Sequence, residues 1–174
     1  GSHDPELSLG GFAKPPSGRE ERQSMKAEIP RALKIEHEEL HQELTKAAKT
    51  SGKTGEAARA AVKVLFPHIL LEEEFALPPL VLLPLLAEGQ VTPDMARILP
   101  KTDMLKAELP RMLEEHKLIV EALKNLMRSA TSENQTGYAR YAQKLILHAQ
   151  TEEEVLYPAS ILIGEYLKLK LARS

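Results

Sequence analysis

The chain contains no cysteine and no tryptophan in 174 residues. The missing cysteine removes disulfides, Cys-ligated zinc, iron–sulfur clusters and thiol catalysis together, so any metal must be held by nitrogen and oxygen. It is compatible with a reducing compartment without requiring one. An excess of one charge is missing too: 23 Lys+Arg against 25 Asp+Glu leave a net charge of −2, with the signs interspersed. No basic face proposes nucleic acid, and no polybasic run proposes a membrane surface. Long apolar runs are also lacking. The most apolar stretch, Leu77 to Ala87, is about half a membrane span and carries three prolines, so no membrane crossing is expected. No secretory apolar region is found, and a cytoplasmic protein is the expectation.

What is present begins after a preface. The opening GSHDPE resembles a cloning remnant, and residues 1–24, rich in Pro, Gly and Ser, show no helical period. They are set aside as a tag or disordered arm, His3 included. Residues 25–174 form one domain, long enough to bury a substantial core.

Within that domain apolar residues recur at helical spacing. One segment runs from about Arg31 to Lys49, with Leu33, Leu40 and Leu44 on one face. The glycine-containing stretch Ser51 to Gly55 ends it, with Thr54 as candidate N-cap of the next. The second segment runs from Glu56 to Phe75, the third from Thr102 or Asp103 to Arg128, and the fourth from Tyr138 to Tyr157. Thr131 to Gly137 is the expected loop between the last two, and Val81 to Lys101 a crossover with a short helix opening at Thr92-Pro93-Asp94. The expectation is an all-α, up-down-up-down four-helix bundle. Pro110 would kink its third helix.

The halves repeat. Ala27-Glu28-Ile29-Pro30-Arg31 returns as Ala107-Glu108-Leu109-Pro110-Arg111. The stretch His68 to Glu74 returns as His148 to Glu154, each followed by a proline at the same offset, Pro78 and Pro158. An internal two-helix duplication with a pseudo-twofold axis follows.

Each expected helix carries a histidine: His37 and His41, His68, His116, and His148. His68/Glu72 and His148/Glu152 are spaced i, i+4, so each pair projects from one helix face about 5–6 Å apart. They lie on apolar stripes: Val64, His68, Glu72 and Phe75 share one, and Tyr141, His148, Glu152 and Val155 another. Leu33, His37 and Leu44 form a third, and Leu109, His116 and Val120 approximately a fourth. A single histidine on such a stripe is usually a core residue bonded to a carbonyl. Four histidines and two carboxylates converging are different, because burying two carboxylates without counter-charge is costly and no Lys or Arg shares their stripes. Imidazole with carboxylate and no sulfur suits iron, zinc or manganese. Six ligands are too many for one tetrahedral zinc and suit two metals bridged by the carboxylates.

The order H…H-x-x-x-E…H…H-x-x-x-E on four helices resembles the hemerythrin-like proteins, or HHE cation-binding domains. FPHILLEEEFALPP and LHAQTEEEVLYPA are similar to that family's two most distinctive stretches, and the resemblance covers Met25 to about Leu167. It implies two iron ions in an oxo- or hydroxo-bridged non-haem centre, able to bind O2 reversibly in respiratory members. By position the metal ligands would be His37, His68, Glu72, His116, His148 and Glu152. Respiratory members carry two histidines at i, i+4 on the third helix, where this chain has Met112, His116 and Val120. Their last carboxylate lies five residues after its histidine, here Glu153, so Glu152 and Glu153 both stay open. His41, one turn beyond His37, is a further candidate ligand.

His37-Glu38-Glu39-Leu40-His41 also matches the zinc-protease H-E-x-x-H. The longer form of that motif would need glycine at Leu44 and histidine at Ala47, and it leaves the second His-x-x-x-Glu pair without a role. A ferritin-like site fails similarly, since only Glu38/His41 has the Glu-x-x-His spacing. Three functions remain: binding O2 or nitric oxide for carriage, storage or sensing; activating peroxide or O2, with Tyr141 and Tyr157 as redox neighbours; or handling iron, with Glu73, Glu74, Glu153 and Glu154 outside the ligands. The apolar tail Ser160 to Leu171 is expected to cap the bundle end, leaving a monomer or weak homodimer.

Overall fold

A computed structural model describes residues 28–173. The arm at 1–24 and the domain's first three residues lie outside the described residues. Among those described, regular structure is entirely helical. The α-helices are α1 (Arg31–Ala48), α2 (Gly52–Leu71), the short α3 (Leu83–Ala87), α4 (Leu99–Ser132), α5 (Thr136–Thr151) and α6 (Tyr157–Leu171). A π-helical turn follows α2 at Glu72–Ala76 and another follows α5 at Glu152–Leu156, and 3-10 turns occupy Pro78–Leu82 and Pro93–Ile98.

Helix α2 packs along α1 and α4, α4 packs along α5, and α5 touches α1, so four helices surround one core. Leu40 and Leu44, Ala58, Ala61 and Leu65, Ile119 and Leu123, and Ala142 and Leu145 fill it from the four sides. Each buried leucine stabilises by about 1.5–3 kcal/mol, and the alanines let α2 approach closely. Phe75, Ala76, Leu105, Met112 and Tyr157 form a second cluster. A third joins Leu77, Leu80 and Met95 to Ile163 and Leu167 of α6, so the tail does cover the end of the core.

Several expected boundaries move. The loop between α4 and α5 shrinks to 133–135. Helix α4 runs unbroken through Pro110, and α2 through Pro67. Helix α2 starts at Gly52, which puts Thr54 inside the helix and Ser51 at its cap position. The orphan N–H groups there are met instead by Glu133, whose carboxylate accepts from Lys53 N–H (2.7 Å), Thr54 N–H (2.8 Å) and the Thr54 hydroxyl (2.5 Å).

The π turns have a cause in the sequence. Pro78 and Pro158 lack an N–H and would clash with the carbonyl four residues back. Widening the turn relieves this: Leu77 N–H bonds to Glu72 O at 2.9 Å, and Lys101 Nζ takes the freed Glu74 carbonyl at 2.7 Å.

Two outcomes test this packing. Gly164 of α6 lies against α4 so closely that an added Cβ would sit 2.2 Å from Thr102 Oγ1. Gly164→Val is expected to cost about 1–3 kcal/mol by overpacking, visible as a melting temperature lower by several degrees; an unchanged melt would contradict the contact. The Thr54 hydroxyl, then the two N–H groups, hold the Glu133 carboxyl below its ordinary range. Its contribution is therefore present above the unfolded carboxylate pKa and lost as pH falls through the lower folded value. Glu133→Gln should melt below the parent protein at neutral pH, and acid titration should close that gap.

Candidate metal centre

His37 comes from α1, His68 from the last turn of α2, His116 from α4 and His148 from α5, while Glu72 and Glu152 each open a π turn. His37, His68, Glu72, His116 and Glu152 are at most 3% exposed, and the His148 side chain 10%. The structure brings all six to one place. Glu72 Oε1 lies 3.3 Å from His68 Nε2 and 3.8 Å from His116 Nε2, while its Oε2 lies 3.7 Å from His37 Nε2. Glu152 mirrors this, with Oε2 3.3 Å from His116 Nε2 and Oε1 2.8 Å from His148 Nε2 and 3.8 Å from His37 Nε2. Each carboxylate thus turns one oxygen toward the pair His68/His116 and the other toward His37.

The outer nitrogen of every ring is also fixed. His37 Nδ1 lies 3.1 Å from Glu73 Oε1, and His68 Nδ1 2.7 Å from Glu115 Oε2. His116 Nδ1 lies 2.9 Å from Glu153 Oε1, and His148 Nδ1 2.9 Å from Glu36 Oε1. An ionised carboxylate only accepts, so each Nδ1 carries the hydrogen, and a neutral ring then presents its Nε2 lone pair inward. This is the carboxylate–histidine arrangement that holds metal ligands in orientation.

The electrostatics are correspondingly tight. Burial pulls the histidines toward lower pKa, but carboxylate contacts outweigh it: Glu152 and Glu72 lift His116 to about 10, and Glu152 lifts His148 to about 9. His37 and His68 are raised in the same way, chiefly by Glu152 and Glu72 respectively. Burial pushes Glu152 up, yet His116, His148 and His37 hold it well below the usual carboxylate range. The carboxylates that favour positive charge on these rings would equally favour a cation placed among them.

The donor set fits a metal. His37 Nε2, His148 Nε2 and Glu152 Oε1 are buried without any hydrogen-bond partner. The last two lie 2.8 Å apart yet off hydrogen-bonding geometry, a spacing that a shared cation would satisfy. Two groups have metal-ligand spacing: His68, Glu72, His116 and Glu152, all buried, and His37, His148 and Glu152. All of the donors except His37 border a small cavity otherwise lined by apolar side chains, among them Leu40, Leu65, Ile69, Ile119 and Leu145.

Other sequence candidates fall elsewhere. His41 is exposed and stacks on Phe66, with ring centroids 3.9 Å apart; on α1 it sits about 80° around from the buried face at about 100° per residue. Glu153 meets His116 from outside and is not among the inner donors. Tyr141 donates to Leu40 O at 2.7 Å, a tie between α5 and α1 away from the centre. Val155, expected on the inner stripe, is 55% exposed because the π turn presents Tyr157 there instead. Sequence reasoning missed the outer carboxylates Glu36 and Glu115. A signal existed: each immediately precedes a candidate ligand histidine, in both halves.

Compared with models of protein families, with curated proteins and with solved structures, the chain matches none of them. The site alone therefore carries the reading: a buried His/Glu cluster able to hold a metal ion.

The orientation role of the outer carboxylates is testable. Glu153→Ala should weaken metal affinity about 10–100-fold while leaving stoichiometry unchanged in a metal titration, as should His41→Ala without the loss of affinity. A drop of one metal per chain in either variant would make that residue a ligand.

Proposed function

We propose that this chain is a hemerythrin-like, non-haem di-iron protein that binds O2 or a related small ligand, nitric oxide or peroxide, for carriage, storage or sensing. In this reading α1, α2, α4 and α5 form an up-down-up-down bundle built from a duplicated two-helix unit. One iron would sit by His68 and His116, the other by His37 and His148, with Glu72 and Glu152 bridging. The observation that carries it is the pairing of oxygens: each buried carboxylate turns its two oxygens in different directions, toward histidines of different helices. Nitrogen-rich, sulfur-free donors suit iron, which when bound supplies a redox-active cation with room for a small ligand.

The chain's own residues supply the rest. Glu36, Glu73, Glu115 and Glu153 orient the rings, and the apolar walls keep bulk water from the donors. No described helix is long and apolar enough to cross a membrane, and a cysteine-free site of this kind would work in the cytoplasm. A peroxidase or oxidase role is the second reading, favoured by one observation: the Tyr157 hydroxyl lies among the donors.

Metal analysis with anaerobic ferrous loading followed by air tests the proposal. Two irons per chain, with near-ultraviolet and visible bands that grow in under air and fade on deoxygenation, are expected for a reversible binder. Bands that form irreversibly would shift the reading to peroxide chemistry or sensing, and one zinc or no metal would overturn the di-iron assignment.

A further inference from the structure

Tyr157 is fully buried, and its hydroxyl oxygen lies 3.2 Å from both His68 Nε2 and His116 Nε2 while donating to Glu72 Oε1. Two further separations in the same group, His68 Nε2 to Glu72 Oε1 and His116 Nε2 to Glu152 Oε2, are each 3.3 Å. Donors bound at about 2.0–2.2 Å to one first-row metal stand about 2.8–3.6 Å apart in octahedral or tetrahedral geometry. The tyrosine oxygen stands at that spacing from both imidazoles; it lies closer to Glu72 Oε1, to which it donates, and Glu72 Oε1 lies 3.8 Å from His116 Nε2.

Hydrogen bonding leads to the same place. With Nδ1–H of His68 and His116 committed to Glu115 and Glu153, two neutral rings would present lone pairs to Tyr157, and Glu72 offers a third acceptor. A phenol has one hydrogen for three acceptors. A cation at their centre satisfies all of them.

The other half of the chain has no equivalent. At the eighty-residue offset Tyr157 corresponds to Leu77, which lies in the apolar cluster under α6. The group around His37 and His148 therefore has no such oxygen, and it is there that three donor atoms are orphaned.

We propose that Tyr157 is itself a metal ligand, a phenolate oxygen that completes the position held by His68, His116, Glu72 and Glu152. This rests on the di-iron reading above and makes its two metals inequivalent. The phenol gives up its proton to solvent as the metal binds, and the Tyr157 oxygen–metal bond replaces the hydrogen bond to Glu72. The small ligand is then left to bind at the His37/His148 position.

The test is spectroscopic. The purified protein is loaded anaerobically with ferrous iron, oxidised in air, and examined by visible absorption and resonance Raman. Wild-type protein is expected to show a phenolate-to-iron(III) charge-transfer band with tyrosinate ring modes; Tyr157→Phe should retain two irons and lose both signals. A chain with four tyrosines permits the converse variant, Tyr138→Phe/Tyr141→Phe/Tyr166→Phe, which should keep them and settles the case if Tyr157→Phe fails to fold. Two irons in wild type without tyrosinate modes would overturn the ligand assignment and leave the di-iron reading intact. Fewer than two irons in wild type would overturn both.

Discussion

Two carboxylates buried at the level where four helices meet are the constraint on which the structure turns. Glu72 and Glu152 are 1% and 2% exposed, and every ion-pair partner they have among the described residues is a histidine. Such a pair in an apolar interior costs several kcal/mol per charge unless matched. Imidazoles from four helices face the two carboxylates, and outer glutamates fix the angle of every ring.

The repeated sequence pattern is matched by near-symmetry in the carboxylates outside the rings. Glu36 supports His148 as Glu115 supports His68, and Glu73 supports His37 as Glu153 supports His116. The Glu73 and Glu153 contacts tie α1 to α2 and α4 to α5 within each half, while the Glu36 and Glu115 contacts tie α1 to α5 and α2 to α4 between the halves. The π turns at Glu72 and Glu152 belong to the same repeat, each with a proline six residues on. Divergence lies just past those turns, where one copy places leucine and the other tyrosine.

Much of this was legible in the sequence because histidines on apolar stripes are rare enough to count. His37, His68, Glu72, His116, His148 and Glu152 could be placed together by helical spacing and the eighty-residue repeat. His41 could not be excluded by spacing, since i+4 keeps a residue within about 40° of its neighbour, and only the direction of the core decides whether that is inward. Glu36 and Glu115 were hidden for another reason. A glutamate on a charged helix face reads as solvated until the neighbouring helix supplies the ring it bonds. Tyr157 was legible as a neighbour of the site but not as a member of its inner group, because α-helical periodicity assigns the inner position to Val155.

The decisive measurement is crystallographic anomalous scattering at the iron edge on anaerobically reconstituted protein. Two peaks per chain are expected, one bordered by His68 and His116 and the other by His37 and His148, both within bonding distance of Glu72 and Glu152. A single peak, or iron bound away from these two carboxylates, would contradict the di-iron reading.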